Sequence, residues 1–445
     1  MKDKIILSKY IKKVFETPSI EGSEWFGYYN YDTLNSDQTK LLANRVNEDG
    51  VAPVKGKVIE LGYYDLATGS WHKIGESDSW NWQQGAMMQW LPDDSIIYNT
   101  SENNHLVAKI YDIKTGETRT IDWAIYGITP DGKKSIALDL ERSYWCRAYH
   151  YQSVANPNVD GAVVESDGIF EIDLLNNTRK RIISIQDVIK AEYQPYFDEC
   201  KHWIEHIMIS KNGKYFCFLH RFSPTADVYK YETRICIANI DGSNLHVMPN
   251  WKKFEWSHFG WCVDDAFSIY TVQTNSMTNK FKAADRSETK ASSNFNLKGI
   301  IVKCLTVVKN MLPPSIRRMI KGQANYYQYY TCDSNGKFTL SSDIRLKMFN
   351  IDGHPSFTND GRYMLTDSYP DSKQYQHLMV YDTHTHKGLN LADLYAYYHG
   401  NPASCDLHPK LCANNKYIVV DTAYDNKHHM IVFELDWNLI KTTIS

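Results

Sequence analysis

The sequence predicts an all-β fold: one seven-bladed β-propeller of four-stranded antiparallel blades, with a helical insertion in blade five. Three observations predict it. A turn-anchored unit recurs seven times along the chain. Most copies are followed by a third strand and a short fourth, as in AKIYDIKTGETRTI, GIFEIDLLNNTRKRII, TRICIANIDGSNLHVM and HLMVYDTHTHKGLNL. No Pro/Gly/Ser-rich linker splits the 445 residues near a midpoint, as two smaller β-domains in tandem would require.

Each unit is a short apolar strand, a turn of the Asn-Gly or Asp-Gly type, and a second strand. Such turns join antiparallel strands. The clearest copies are HIMISKNGKYFCFLH from His206, HFGWCVDDAFSIYTV from His258, HPSFTNDGRYMLTDS from His354 and HPKLCANNKYIVVDT from His408. Weaker copies start at Tyr31, Met87 and Ile125. Four short strands repeated radially make a propeller, and no blade can bury its faces alone, so residues 1–445 are read as one cooperative domain. The starts are separated by 56, 38, 81, 52, 96 and 54 residues, which places insertions in blades three and five. The ring closes with an outer strand from either the N-terminal residues or the segment DWNLIKTTIS.

Composition excludes several classes. The net charge is −3, so no global basic field points to nucleic acid. No apolar run is long enough to span a bilayer. The start, MKDKIILSKYIKKVF, lacks the apolar core and cleavage site of a secretory signal. Nine cysteines, an odd number with several inside strand-like runs, show no disulfide framework. Together these features predict a cytoplasmic protein.

The repeat assigns faces. Strand starts, second-strand ends and the loops to the third strands share an upper rim, and the Asp-Gly turns lie below. The aligned first position is histidine in four copies: His206, His258, His354 and His408. Cys405 lies three residues before His408, and His220 ends a second strand. Imidazole with thiolate suits zinc or another divalent metal in a structural site. The alternative is that each histidine hydrogen-bonds a neighbouring blade.

A second group lies on blades one to three. Tyr126 follows a first-strand start, and Arg142 lies just past a second strand. The loop ERSYWCRAYHYQ adds Arg147, Tyr149 and Tyr151, blade two adds Asn81, Gln83, Gln84 and Asn99, and blade one adds Arg45. Arginine, amides and tyrosines at a mouth suit a carboxylated sugar: Arg grips the carboxylate, amides bond hydroxyls and rings stack. Against this, most tyrosines in so Tyr-rich a chain pack between blades.

The segments WNWQQGAMMQWLP, GHPSFTNDGRYMLTDSYPD and CDLHPKL…NNKYIVVDT resemble those of seven-bladed propeller polysaccharide lyases, ulvan lyases most closely and oligogalacturonate lyases more distantly. The resemblance runs from about Gly27 to Leu435, apart from the blade-five insertion. It implies removal of the C5 proton of a uronic acid and β-elimination of the 4-O-linked group, on an acidic oligosaccharide. It implies Tyr126 as acid, or as base and acid together, with Arg142 neutralising the carboxylate. It also implies a structural zinc, with Cys405 and His408 as first ligands and His206, His258 and His354 as completions. The family uses a histidine near the blade-two mouth, where this chain has Asn81, Gln83 and Gln84. That departure supports a competing expectation, a non-catalytic propeller that binds a glycan or a protein.

Residues 276–325 form the blade-five insertion. Within it Leu297, Ile300, Ile301, Cys304, Leu305, Val308 and Leu312 recur at helical spacing among lysines and arginines. A basic amphipathic helix over 297–321 is expected to pack on the propeller, to cover the mouth, or to lie on an anionic membrane. The sequence does not set the oligomeric state.

Overall fold

The structure is a computed structural model that describes residues 4–18, 20–48, 54–142, 153–154, 161–223, 231–273, 325–397 and 405–445. It is a seven-bladed β-propeller. Blade four shows the plan: Lys201–Ile209, Tyr215–Ser223, Glu232–Asn239 and His246–Val247, each antiparallel to the next. Buried aliphatic and aromatic side chains from adjacent blades form the core, with Ile97, Ile136, Phe216, Val419 and Val420 fully enclosed.

The N-terminal residues close the ring. Ile11–Glu16 pairs with His429–Leu435 as the outermost strand of blade seven. Ile5–Leu7 adds a fifth strand to blade six by pairing with Lys387–Tyr395. The other candidate for closure instead forms a helix, Trp437–Ile444, whose first turn is capped by Asp436 accepting from the Leu439 N–H. Of the expected blade-five insertion, only Asn325 lies within the described residues.

Side chains on second strands tie three blades to the next. Asn99 of blade two donates to the Ile125 carbonyl and accepts from the Ile125 N–H, both at 2.9 Å. Asn44 of blade one accepts from the Ala86 N–H of blade two at 3.2 Å. Asp421 of blade seven accepts from the Phe26 N–H of blade one at 3.1 Å, across the ring junction. Burial without competing water makes each such bond costly to lose.

The turn-anchored copies are structural equivalents. Three aligned first positions, Met87, His206 and His408, share a left-handed backbone, with φ of 54°, 54° and 44°. His206 and His258 sit where the pairing register shifts, between Glu205 and Met208 and between Trp256 and Phe259. Such a bulge bends the inner strand and re-aims its side chain.

Candidate metal centre and adjoining polar site

The repeat brings all four strand-start histidines to one place. The His258 and His354 ring centroids are 4.0 Å apart, and those of His354 and His408 are 4.4 Å apart. His206 stands one ring away: Tyr28 stacks on it at 5.2 Å and meets His408 edge-on at 5.1 Å. The four imidazoles come from the successive blades four to seven, so the radial packing of those blades assembles them.

His354, Asp406 and His408 form a group that could hold a metal ion, their candidate ligand atoms all within 4.8 Å of one another. The hydrogen bonds behind the two histidines fix their tautomers. His354 Nδ1 lies 2.9 and 3.0 Å from the two oxygens of Asp367, and His408 Nδ1 lies 2.9 Å from the Gly27 carbonyl. Both acceptors require N–H on Nδ1, which leaves the lone pair on Nε2. Both Nε2 atoms are buried without a hydrogen-bond partner. Burial and the neighbouring imidazoles hold both histidines well below the usual range, so both are neutral. Burial and then Asp367 push the Asp406 carboxyl up to about 7. Two buried lone pairs and a destabilised carboxylate are a donor set that a divalent cation would satisfy.

His258 adjoins this group with a different partner. Its Nδ1 lies 3.1 Å from Asp352 Oδ1. Burial opposes its charge, but Asp352 outweighs burial and raises its pKa. Its side chain keeps 13% exposure, against 0% and 4% for His354 and His408.

Tyr126 anchors the adjoining polar site. Gln84 Nε2 donates to its phenol oxygen at 2.6 Å, and His206 Nδ1 is 3.5 Å from both groups. Burial drives the phenol pKa up. Gln84 and the charge of Arg221 act to lower it, while that of Glu205 adds to the rise. Arg221 Nη1 lies 2.7 Å from Glu205 Oε2. Gln84, Tyr126, Ile204, Glu205 and His206 line a cavity of about 10 Å³, room for roughly one water. Leu138 and Leu140 separate it from a larger opening of about 420 Å³ between blades two and three, lined also by Trp123, Asp139, Glu141 and Arg179.

Other residues singled out by the sequence lie elsewhere. His220 is not at the mouth. It is fully buried, with Nε2 2.9 Å from His202 Nδ1, and its Nδ1 accepts from Arg234 Nε at 2.7 Å. Successive strand residues face opposite sides, so its neighbour Arg221 turns the other way, to Glu205 and the Tyr231 ring, from where its charge acts on Tyr126. The thiol of Cys405 is outside the candidate metal group, and the adjacent Asp406 stands in it. The Cys405 carbonyl accepts from Gln376 Nε2 at 2.9 Å. Arg142 donates from Nη2 to the Gly161 carbonyl at 2.7 Å, and its charge acts on Asp167. Arg45 is held by Glu24 at 2.7 Å and lies over Trp71. Asn81 accepts from the Gln83 and Gln84 N–H groups, which shapes the loop that presents Gln84. Asn99 is the blade clamp described above. Arg147, Tyr149 and Tyr151 lie outside the described residues, as does 297–321.

Sequence reasoning missed Tyr28, Asp352, Asp367, Asp406, Glu205 and Arg221. The acidic members carry a signal. Asp-x-His occurs three times, and two copies, Asp352-Gly353-His354 and Asp406-Leu407-His408, fall at the same place in blades six and seven, while Asp382-Thr383-His384 lies in an outer turn of blade six. In the two matching copies each Asp serves the histidine of the preceding blade, Asp352 toward His258 and Asp406 toward His354.

No protein-family model matches the chain, and no curated protein matches it. Solved structures do. An oligogalacturonate lyase in complex with manganese is 14% identical with a TM-score of 0.58, over 98% of this chain and 99% of that one. An oligogalacturonate lyase from Vibrio parahaemolyticus is 11% identical with a TM-score of 0.57, over 98% of both chains. The tricorn protease is 11% identical with a TM-score of 0.50, over 94% of this chain and 34% of that one. The ulvan-lyase likeness rests on sequence motifs alone. At these identities the likeness establishes architecture: the chain has the seven-bladed propeller fold that oligogalacturonate lyases share.

Proposed function

We propose that the protein is a β-eliminating lyase for uronate-containing oligosaccharides that works beside a divalent cation held by His354, Asp406 and His408. The observation that carries this reading is the pair of buried, unpartnered Nε2 atoms of His354 and His408, set against an Asp-oriented histidine, His258. The manganese complex of the structurally similar oligogalacturonate lyase supports a divalent metal. When bound, the cation supplies positive charge that neutralises the uronate carboxylate and favours the enolate.

The chain's own groups divide the remaining work. His258 takes the C5 proton on Nε2, since Asp352 holds the hydrogen on Nδ1. Electrons of the broken C5–H bond form the C4–C5 double bond, and the C4–O bond breaks toward the leaving group. Tyr126 stays protonated because burial raises its pKa, so it serves as the donor to the departing oxygen. Arg221 adds a fixed positive charge beside it. The opening lined by Trp123 and Arg179 gives a neighbouring sugar somewhere to extend.

The test is the ultraviolet absorbance of an unsaturated uronate, followed with pectic, ulvan and glycosaminoglycan fragments, with manganese or zinc and with a chelator. Turnover that His258→Gln abolishes while metal content holds supports the assignment. Silence across the panel with the metal-loaded protein removes it. The Gln84–Tyr126 bond favours a second reading, a non-catalytic glycan-binding propeller, because an amide holds the phenol where the resemblance implies a histidine. Glycan binding without turnover, weakened by Tyr126→Phe, selects that reading.

A further inference from the structure

The chain's first described residues form a surface that the site does not use. Ile5–Leu7 is the free edge of the blade-six sheet, and Ile11–Glu16 is the outermost strand of the adjacent blade seven. Large apolar side chains stay exposed there: Ile6 at 46%, Leu7 at 41% and Val14 at 39%. Tyr397, 45% exposed, joins them through Lys4, whose amine lies 5.6 Å from its ring centroid. Four of the ten exposed large hydrophobics among the described residues thus lie on one stretch of the outer wall.

Positive charge is interleaved with this apolar surface. Lys4, Lys9, Lys12 and Lys13 are all exposed. Among the described residues only Lys13 has an ion-pair partner in its own strand, Glu16, and Lys4, Lys9 and Lys12 have none. Lys9 and Lys12 border a groove of about 470 Å³ that runs to the first turn of the helix Trp437–Ile444. The carboxylates along that groove are engaged, Glu434 by Lys416 at 3.1 Å and Asp436 by the helix cap.

We propose that this N-terminal edge is a peripheral docking surface for an anionic lipid bilayer, with the groove beside Lys9 and Lys12 receiving a headgroup phosphate. Charge complementarity selects the partner. A second copy of the chain docking through the same patch would stack unpaired lysines against lysines. A bilayer surface with negative headgroups takes both the ammonium groups and the protruding aliphatic side chains. The contact is interfacial, since no helix among the described residues is long and apolar enough to cross a membrane.

The experiment is co-sedimentation of the full chain with vesicles of phosphatidylcholine alone and of phosphatidylcholine mixed equally with phosphatidylglycerol. Binding is expected to the mixed vesicles and to weaken as salt rises. Lys4→Glu, Lys9→Glu and Lys12→Glu together lower partitioning on the order of a hundredfold, at about fivefold per lysine. Ile6→Ser with Leu7→Ser weakens binding at unchanged charge. A control triple with the same charge change on blades two and three, Lys114→Glu, Lys133→Glu and Lys180→Glu, keeps binding. Circular dichroism checks that each variant is folded. Equal binding to neutral vesicles, no binding at all, or a Lys4/Lys9/Lys12 variant that binds like the parent each overturn the proposal.

Discussion

Asp367 grips His354 twice: one of its oxygens accepts from the His354 backbone N–H at 2.6 Å and also lies 2.9 Å from Nδ1 of the same residue. The double contact fixes the position of the inner-strand start and the tautomer of its ring. It thereby aims Nε2 at His408 and Asp406. Burial, opposed by the His354 backbone bond, pushes the Asp367 carboxyl up to about 6.

The purified protein is expected to carry a divalent metal, measured by elemental analysis. His354→Ala and His408→Ala each remove a ligand and lose it. Asp367→Asn keeps both ligands but loosens their orientation, lowering metal affinity by about 10- to 100-fold. Cys405→Ser keeps its metal, because the thiol stands outside the group. Loss of metal in Cys405→Ser with retention in His354→Ala would reverse the ligand assignment.

The ring of histidines was legible because the repeat has a fixed register: once turns are aligned, position in a blade becomes position in space. What lay one residue off was not legible. Cys405 and Asp406 are neighbours in the loop before Lys410–Leu411, and His220 and Arg221 are neighbours in the strand Tyr215–Ser223, where period-two alternation sends them to opposite faces. A motif reading chose the chemically familiar member each time. The bulge that reaims His206 is set by φ rather than by residue type, so it too was hidden. Arg142 was placed by loop position alone, and its loop turns it to Gly161.

His220 gives a prediction separate from metal. Arg234 Nε donates to its Nδ1, so its Nε2–H donates to His202 Nδ1, and His202 Nε2–H donates to the Phe197 carbonyl. Arg234 spends its other donors on the Val188 and Ala191 carbonyls at the end of the helix Ile185–Lys190. His220→Ala leaves a buried guanidinium short of an acceptor, at a cost of about 3 kcal/mol. Thermal unfolding should show the loss while metal content stays unchanged. Both histidines are held below the ordinary imidazole range, His202 by burial and His220 by burial and Arg234. The unfolded chain therefore binds protons that the folded one excludes, and stability falls as pH drops below about 6.5.

The blade clamp at Asn99 is expected to be the costliest amide to remove. Its two bonds to Ile125 are fully buried, and Asn99→Ala leaves an N–H and a carbonyl of blade three without partners. The loss is about 2–4 kcal/mol. Asn99→Asp keeps the acceptor for the N–H but sets a carboxylate oxygen against the Ile125 carbonyl, so it should destabilise more at neutral pH than in mild acid. Chemical denaturation of both variants at two pH values checks the ordering.

Ring closure should weaken in acid through Glu16. This residue ends the N-terminal strand of blade seven, where Tyr424 donates to its carboxylate at 2.6 Å and His429 Nε2 lies 3.2 Å away. Burial alone would raise its pKa, but the bonds from His429, Lys13 and Tyr424 outweigh burial and hold it at about 2. A carboxylate with a depressed folded-state pKa stabilises the protein fully above its unfolded value, near 4.3, and loses that contribution as pH falls toward 2. Glu16→Gln removes the contribution at all pH values. The melting temperatures of parent and variant should therefore differ most above about pH 5 and converge toward pH 2. A constant difference across that range would mean that the N-terminal strand is held by its backbone pairing with His429–Leu435 rather than by this charge.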